Sequence, residues 1–274
     1  MPGGRLRTLT RPAQTMSAPA LDLPQLSATL EKLLRLRNPP FGMKLFERAA
    51  EMQAIPRIRR PSAVHTLDQL VAQTARLGRT MGVTATDLVG DQCRAVVGLC
   101  AQGEAWASGA AMVGVWYATP ADAAAHQAAM PVVPAGRFEA LAISPLAAGR
   151  LTPPDIALFY ATPGAMMYFV NGLQWAGYKR FDWGFVGESS CADSWGRALS
   201  TRQPSLSIPC FAERRYGGVL DDEMLMALPP DMLPQAIAGM QALAGNGLRY
   251  PVPTYGIEQD ARAGLGVSYP TRQN

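Results

Sequence analysis

Four cysteines are the residues whose chemistry stands out first: Cys93, Cys100, Cys191 and Cys210. Their small number and wide spacing do not fit the disulfide framework of a small secreted protein, so reduced thiols or a metal site fit better. Thiolates from distant segments can hold an iron–sulfur cluster or another soft metal when the fold brings them together. Because the chain has no Cys-x-x-Cys pair, spacing alone supports a metal only weakly. Cys100 lies seven residues after Cys93 and could share its helix face. We interpret Cys100 as a small buried hydrophobic residue and not as a metal ligand.

The segment ESSCADSW predicts a cysteine near the start of a helix, which Glu188 or Ser189 would cap. A helix N-terminus favours the thiolate form, so we expect Cys191 to have a lowered pKa and to act as a nucleophile or metal ligand. In the same segment, Asp193 would orient the substrate or accept a proton, and Trp195 would contact the substrate.

Histidine chemistry has little local support. His65 and His126 are the two histidines, and neither stands in a two-histidine metal motif. We interpret His126 as capping its helix or facing solvent. A serine–histidine–acid triad stays open because its members meet only in space. Dinucleotide-binding, P-loop and G-x-S-x-G signatures are absent from the sequence.

The elements that must position these residues alternate along the chain. Strand patterns occupy 41–46, 111–117, 138–144, 155–161 and 205–211. Helical patterns cover 24–37, 66–77, 84–100, an Ala-rich segment after Thr119, a segment from Met166 to Leu173, and 230–243. Segments 66–77 and 84–100 would form a helical hairpin, and 111–144 a β-α-β unit. This alternation predicts an α/β or α+β fold with a single mixed, partly parallel β-sheet covered by helices.

Composition sets the outer limits. With 274 residues and 48% hydrophobic residues, the chain can bury a large core. We expect one mixed α/β domain at 22–245, a disordered N-terminal tail at 1–21 and an irregular C-terminal tail at 246–274. No apolar run reaches the ~20 residues of a membrane span, and no secretory signal is visible, so we expect a cytoplasmic protein. The Arg-rich start also suits an organelle transit peptide.

Charge and aromatic residues bear on partners. The net charge of +4 is not concentrated in a nucleic-acid-binding module, so we expect no nucleic-acid partner. All five tryptophans lie between Trp106 and Trp195. Core packing is the favoured interpretation of this cluster, and a pocket for an apolar or planar ligand is the alternative.

Several longer segments resemble the bacterial and archaeal domain-of-unknown-function family numbered 169, from about Leu26 to Leu243. Their combination is more specific than any single piece. The matching stretches are NPPFGMKLFE, DQCRAVVGL, ISPLAAGRLTPPDIALFYATPGAMMYFVNGL, SSCADSW and SLSIPCFAERRYGGVLDDEMLMALPPDML.

The resemblance implies that Cys93, Cys191 and Cys210 are family cysteines, and it makes them the candidate metal ligands. Two further cysteines of the family pattern are replaced in this chain, one around 66–69 and one around 212–214. The chain has therefore either lost a cluster and reuses the pocket, or completes a three-cysteine site with a carboxylate, water or substrate. The family has no established activity to transfer, and the cofactor stays unknown.

We therefore expect a small-molecule enzyme that acts on an aromatic or apolar organic acid in an aromatic-lined pocket with cysteine participation. Lys44 or Arg214, which lie in matching segments, would bind the carboxylate. The alternative is a non-catalytic protein that carries an iron–sulfur cluster, a planar cofactor or a metabolite for a partner enzyme. A third hypothesis is a structural subunit that uses the tail after Asn246. Expected partners are a small-molecule ligand and a second copy of the chain or a partner enzyme, with no membrane.

Overall fold

A six-stranded sheet is the centre of the computed structural model, which describes residues 21–262 and residue 264. Its strands follow the spatial order β2-β3-β1-β4-β6-β5, and every neighbouring pair is antiparallel. The strands are β1 (Phe41–Phe46), β2 (Met81–Thr84), β3 (Ala140–Pro145), β4 (Ile156–Ala161), β5 (Ser205–Ser207) and β6 (Met224–Leu228).

Helices cover both faces of this sheet. They are α1 (Leu23–Leu34), α2 (Ala49–Gln53), α3 (Leu67–Leu77), α4 (Asp91–Val96), α5 (Glu104–Ala107), α6 (Pro120–Ala129), α7 (Pro163–Gln174), α8 (Arg197–Thr201), α9 (Phe211–Gly217) and α10 (Leu233–Gly245), with a π-helical segment at Ala192–Gly196 directly before α8. The mixed α/β fold class is thus confirmed, whereas the expected parallel pairing does not occur in the sheet.

Strand β4 shows how one sheet separates two cores. Ile156, Leu158 and Tyr160 face the layer that contains α3 and the helix after Ser189. Ala157 and Phe159 alternate with them and face the layer formed by α1, α7 and α10. Because successive side chains of a strand point to opposite faces, a strand buried on both faces is apolar at every position. Cys191 belongs to the first layer, and Cys93 packs against it.

The predicted helical hairpin is wrong in its second half. Met81–Thr84 forms β2 on the edge of the sheet beside β3. Gly82 is required there because an added Cβ would collide with the side chains of Met52 and Ile58. Beyond β2, Gly90 has a φ of +90° and interrupts the run, so only a short turn at Ala85–Asp87 and α4 are helical.

The predicted strand at 111–117 is also wrong. The segment forms consecutive turns, and Gly114 at its centre has a φ of +75°, which an extended strand cannot accommodate. Val115 and Trp116 are exposed there. Without this strand, α6 connects no pair of parallel strands, which explains why the β-α-β prediction failed. The strand predicted at 205–211 is shorter than expected, since only Ser205–Ser207 pairs with β6.

Other expectations have mixed outcomes. Helices α3 and α6 begin after Thr66 and Thr119, close to the expected starts, and the side chains of these two threonines cap them. Core packing accounts for only part of the central aromatic residues: Phe159, Tyr160, Tyr168, Phe169 and Trp195 are buried, whereas Trp116, Trp175 and Tyr178 are exposed. Residues 246–261 form no helix or strand, whereas the tail expected at 1–21 and the end of the C-terminal tail lie almost wholly outside the described residues. Within the described part of the chain, no helix is long and apolar enough to cross a membrane.

Candidate active site

A helical stretch at 190–201 carries the candidate site. It begins directly after Ser189, passes through the π-helical segment and continues as α8. Cys191 lies in its first turn, as the sequence predicted. Short π-helical insertions are uncommon and occur often at functional sites. The side chains around the start of this helix form two neighbouring centres, one buried and one bordering a pocket.

The buried centre begins with two thiols. The Sγ atom of Cys93 in α4 lies 3.5 Å from the Sγ atom of Cys191, and Cys93 donates the hydrogen bond. Cys191 is 2% exposed, and Cys93 is half-buried. Both residues are free thiols, as is Cys210 at the start of α9. The fold therefore brings Cys93 and Cys191 together, which the sequence alone left open.

The thiols are not poised as thiolates. The hydrogen bond from Cys93 favours the Cys191 thiolate, but burial and nearby negative charges outweigh it and raise the pKa of Cys191 to about 11. Burial, followed by the charge of Glu213, raises the pKa of Cys210 to about 12. The expected lowering of the Cys191 pKa is therefore wrong, because burial in an apolar layer opposes ionisation more strongly than a helix terminus favours it.

Two buried carboxyl groups complete this centre. Asp68 in α3 is 3% exposed, its Oδ1 atom has no hydrogen-bond partner, and burial raises its pKa to about 7. Glu213 in α9 is fully buried, and burial raises its pKa as well. The two charges would repel each other, and both would oppose ionisation of Cys191. These carboxyls come from the two segments, 66–69 and 212–214, in which the family pattern predicts additional cysteines.

Ser190 connects this centre to the helix start. Its hydroxyl donates to Oε2 of Glu213 and accepts a 3.0 Å hydrogen bond from the backbone N–H of Cys210. Tyr160 of β4 donates a 2.8 Å hydrogen bond to the other oxygen of Glu213. The Glu213 carboxyl is therefore held by two hydroxyl donors, as a buried polar group requires.

The arrangement does not form a preorganised metal site. Among the described residues, no group of three or more His, Cys, Asp or Glu side chains is placed to hold a metal ion. The metal site of Cys93, Cys191 and Cys210 stays a prediction, and the chemistry considered below uses only the side chains of the protein.

The second centre is a hydrogen-bonded chain of three side chains. The hydroxyl of Ser189 lies 2.8 Å from Nε2 of His126, and Nδ1 of His126 lies 2.9 Å from the hydroxyl of Tyr117. Gln92 of α4 donates its amide N–H to the Ser189 hydroxyl from the other side. Because Gln92 is the donor in its contact with Ser189, the Ser189 hydroxyl keeps its own hydrogen free to donate to Nε2 of His126. The hydrogen on Nδ1 of His126 then donates to the hydroxyl of Tyr117.

His126 is therefore arranged as a base. Its burial lowers its pKa below the usual histidine value, so the ring is neutral at neutral pH. The side chain is 9% exposed, which contradicts the expectation that it caps its helix or faces solvent. A serine donating to a neutral histidine whose other nitrogen is fixed by a third group is the arrangement that activates serine nucleophiles.

Ser189 also has an unusual backbone. Its φ is +66°, and it is the only buried member of the four non-glycine residues with positive φ in the described chain. Such conformations cost about 1–3 kcal/mol and concentrate at functional sites, where surrounding contacts hold them. Here the hydrogen bonds from Gln92 and to His126 hold the Ser189 side chain.

A pocket of about 320 Å³ borders this chain of side chains. Tyr117, His126 and Ser189 line it, together with the acids Asp122 and Asp193 and the apolar residues Ala125, Ala129, Met130 and Val186. Ser189 is 1% exposed and thus lies at the floor. Burial raises the pKa of Asp193, whose Oδ2 atom accepts a 3.0 Å hydrogen bond from the backbone N–H of Val186. The structure thus places Asp193 in the pocket of Ser189, whereas Cys191 lies in the buried layer.

The remaining predicted site residues lie elsewhere. Lys44 lines a separate cleft of about 730 Å³ with Phe46 and Phe138, and its Nζ atom donates to the carbonyl oxygen of Pro153. Trp195 is fully buried in the core layer, and its indole N–H has no hydrogen-bond partner. The structure brings neither of them to the pocket of Ser189.

Arg214 is engaged within its own region. It donates to the carbonyl oxygens of Pro209 and Leu220 and lies 3.5 Å from the carboxylate of Asp221. Its proposed contact with a substrate carboxylate stays a prediction.

The sequence contained only partial signals for this site. Ser189 was recognised as a possible helix cap, but its contact with His126 joins residues 63 positions apart. Asp68 and Glu213 have no local signal, since charged residues on amphipathic helices usually face solvent. The family pattern was the useful indication, because its missing cysteines fall on the two segments that supply these carboxyls.

Comparisons with known proteins agree with the resemblance. The model of the DUF169 family, described as "Uncharacterised ArCR", matches residues 29–239. An uncharacterized protein of Methanocaldococcus jannaschii is 26% identical over 89 residues, which cover 32% of this chain and 38% of that protein. The match therefore spans less than half of the archaeal relative. No solved structure gives a significant match.

Proposed function

Since the chain belongs to the DUF169 family, which is described as uncharacterised, we propose from the geometry of the chain that it is a small-molecule enzyme that cleaves an acyl derivative of an apolar organic acid. The hydrogen-bonded chain Ser189–His126–Tyr117 at the floor of a pocket carries the proposal. An ester or thioester is the substrate class that a serine nucleophile and a neutral histidine base can cleave.

The first step is attack of the Ser189 hydroxyl oxygen on the carbonyl carbon of the substrate. Its proton moves to Nε2 of His126, and Tyr117 stabilises the resulting imidazolium by accepting from Nδ1–H. The bond to the leaving group then breaks, and the leaving oxygen or sulfur takes the proton from His126. The acyl group remains as an ester of Ser189.

Water completes the reaction. It attacks the acyl-serine carbonyl while His126 accepts a proton, and Ser189 recovers that proton when the acid leaves. The protein and His126 return to their starting state, and the products are the organic acid and the alcohol or thiol. The apolar pocket wall, which includes Ala129 and Met130, favours an apolar acyl group.

In this proposal Cys93 and Cys191 have a structural role, because their contact joins the two segments that carry Gln92 and Ser189. Cys93 directly follows Gln92, and Cys191 lies two positions after Ser189, so the thiol contact fixes α4 against the helix start. Because the pKa of Cys191 is raised to about 11, its thiolate is scarce at neutral pH.

A fluorophosphonate probe, which phosphonylates activated serines, tests the proposal directly. We expect labelling of Ser189 in the intact protein, located by peptide mass spectrometry, and hydrolysis of p-nitrophenyl esters with apolar acyl groups. Ser189→Ala should abolish both. Ser194→Ala is the matched control, since Ser194 is equally buried but donates only to the backbone oxygen of Ser190.

The variant His126→Gln tests whether His126 activates the Ser189 hydroxyl, as distinct from whether the probe can reach it. It should lower the labelling rate by about 10²-fold or more, the usual contribution of a general base. In the native protein, the rate should decrease only below the usual histidine range, because the pKa of His126 is lowered. Equal labelling of the native protein and Ser189→Ala would refute the proposal. A ligand that copurifies with an unreactive protein would instead favour the non-catalytic alternative.

A further inference from the structure

A second cavity, distant in sequence from Ser189, has a distinctly cationic lining. It measures about 220 Å³, and its polar lining consists of Arg59, Arg60, Arg79, His65, Gln73 and Ser62. No aspartate or glutamate belongs to this lining. None of its residues lines the pocket of Ser189, so the cavity is independent of the proposed catalytic centre.

The backbone holds two of the arginines in place. Arg59 pairs with the start of β2: its N–H donates to Thr80, and its carbonyl oxygen accepts from Gly82, both at 2.9 Å. Arg79 follows the end of α3 and donates a 3.0 Å hydrogen bond to the side-chain oxygen of Gln73. The cavity therefore lies between a sheet edge, which fixes the backbone of Arg59, and a helix end, where Gln73 orients the guanidinium group of Arg79.

The charges of the cavity are only partly compensated. Arg60 forms an ion pair with Asp87, which lies outside the lining. Within the described residues, neither Arg59 nor Arg79 has a carboxylate oxygen within 4.0 Å. Arg79 is half-buried, where an uncompensated cation costs more than at a fully exposed position. The site thus favours a ligand that carries concentrated negative charge.

We propose that this cavity binds the phosphate group of a small phosphorylated molecule. Planar guanidinium groups bind phosphate oxygens through paired, charge-assisted hydrogen bonds. A phosphate monoester offers a double negative charge and three acceptor oxygens, which match Arg59 and Arg79 better than the single charge of a carboxylate. The side-chain N–H of Gln73 and the hydroxyl of Ser62 supply additional donors.

Inorganic phosphate is the probe for the test. Isothermal titration of the full chain, in chloride buffer at constant ionic strength, should show saturable binding of phosphate. Acetate should bind much more weakly. Arg59→Ala and Arg79→Lys should each weaken phosphate binding about tenfold or more, since each removes a charge-assisted contact. Arg57→Ala is the matched control, because Arg57 lies only two residues before Arg59 in the sequence but does not line the cavity.

The outcomes separate clearly. Thermal melting without ligand shows whether each variant is folded, and phosphate should raise the melting temperature of the native protein more than that of Arg79→Lys. Absence of saturable phosphate binding by the native protein would overturn the proposal, as would equal binding of acetate and phosphate. Equal weakening by Arg57→Ala would also overturn it, since general charge attraction would then explain the binding. None of these results depends on the reactivity of Ser189.

Discussion

Replacing Asp68 by asparagine is a direct test of the buried centre. The carboxyl of Asp68 is 3% exposed, and one of its oxygens has no hydrogen-bond partner. Burial, together with the charges of Glu213 and Glu188, raises its pKa from 3.8 to about 7. Asparagine has nearly the same shape and carries no charge at any pH, so Asp68→Asn removes the titration and keeps the packing.

The sign of the effect follows from proton linkage. The folded protein holds the Asp68 proton more tightly than the unfolded chain does, so the stability from this group is fully present below about pH 4 and is lost as the pH rises through about 7. A pKa difference of about three units corresponds to about 4 kcal/mol at most. The free energy of unfolding should therefore decrease by up to about 4 kcal/mol more in the native protein than in Asp68→Asn over this range.

Urea denaturation at several pH values between about 4.5 and 8 measures this difference. Glu213, Glu188 and the thiols titrate in both proteins, so the comparison isolates Asp68 and its coupling to them. Asp182→Asn, at a fully exposed carboxylate, should leave the pH dependence unchanged. Parallel stability curves for the native protein and Asp68→Asn would refute the assignment of Asp68 to a desolvated, uncompensated position.

Two other predictions concern the helical layers. Gly239→Ala should lower the free energy of unfolding by about 2 kcal/mol, since the added Cβ would collide with a backbone oxygen of α7. Gly245→Ala is the control and should leave the free energy of unfolding unchanged, because no atom lies within 4 Å of its added Cβ. Thermal melting of the two variants would compare their stabilities. Hydrogen peroxide should convert the neighbouring Cys93 and Cys191 thiols into a disulfide with release of water, seen by mass spectrometry as the loss of two hydrogens, slowly at neutral pH and faster as the pH rises because the thiolate is the reactive form. Cys100→Ser should retain this reaction and Cys93→Ser should lose it, and oxidation that is unchanged in Cys93→Ser would exclude this pairing.

Local patterns predicted those elements whose cause is itself local. The Thr66 and Thr119 caps mark the starts of α3 and α6, and the apolar run of β4 marks a strand buried on both faces. Strand β2 has only four residues, one of them Gly82, and it is a strand because it pairs with the distant β3. Four residues are too few to show the alternation of apolar and polar residues by which a strand is recognised in a sequence.

The candidate site was accessible only in part for a related reason. The position of Cys191 at a helix start follows from the residues around it, but its pKa depends on burial among Asp68, Glu213 and Cys93, which no local pattern shows. The contact between Ser189 and His126 likewise depends on how α6 packs against the helix start. Chemistry built from several segments therefore appears only when the fold is known.

The adjacent serines at the helix start have a kinetic consequence. Ser189 lines the pocket, while the next residue, Ser190, is fully buried and donates to Glu213, so consecutive residues of one helix start belong to the pocket and to the buried acid centre. Local opening of this helix start would therefore expose Glu213 to water while both core layers stay closed. We therefore expect the buried carboxyls to reach equilibrium with the solvent much faster than the protein unfolds.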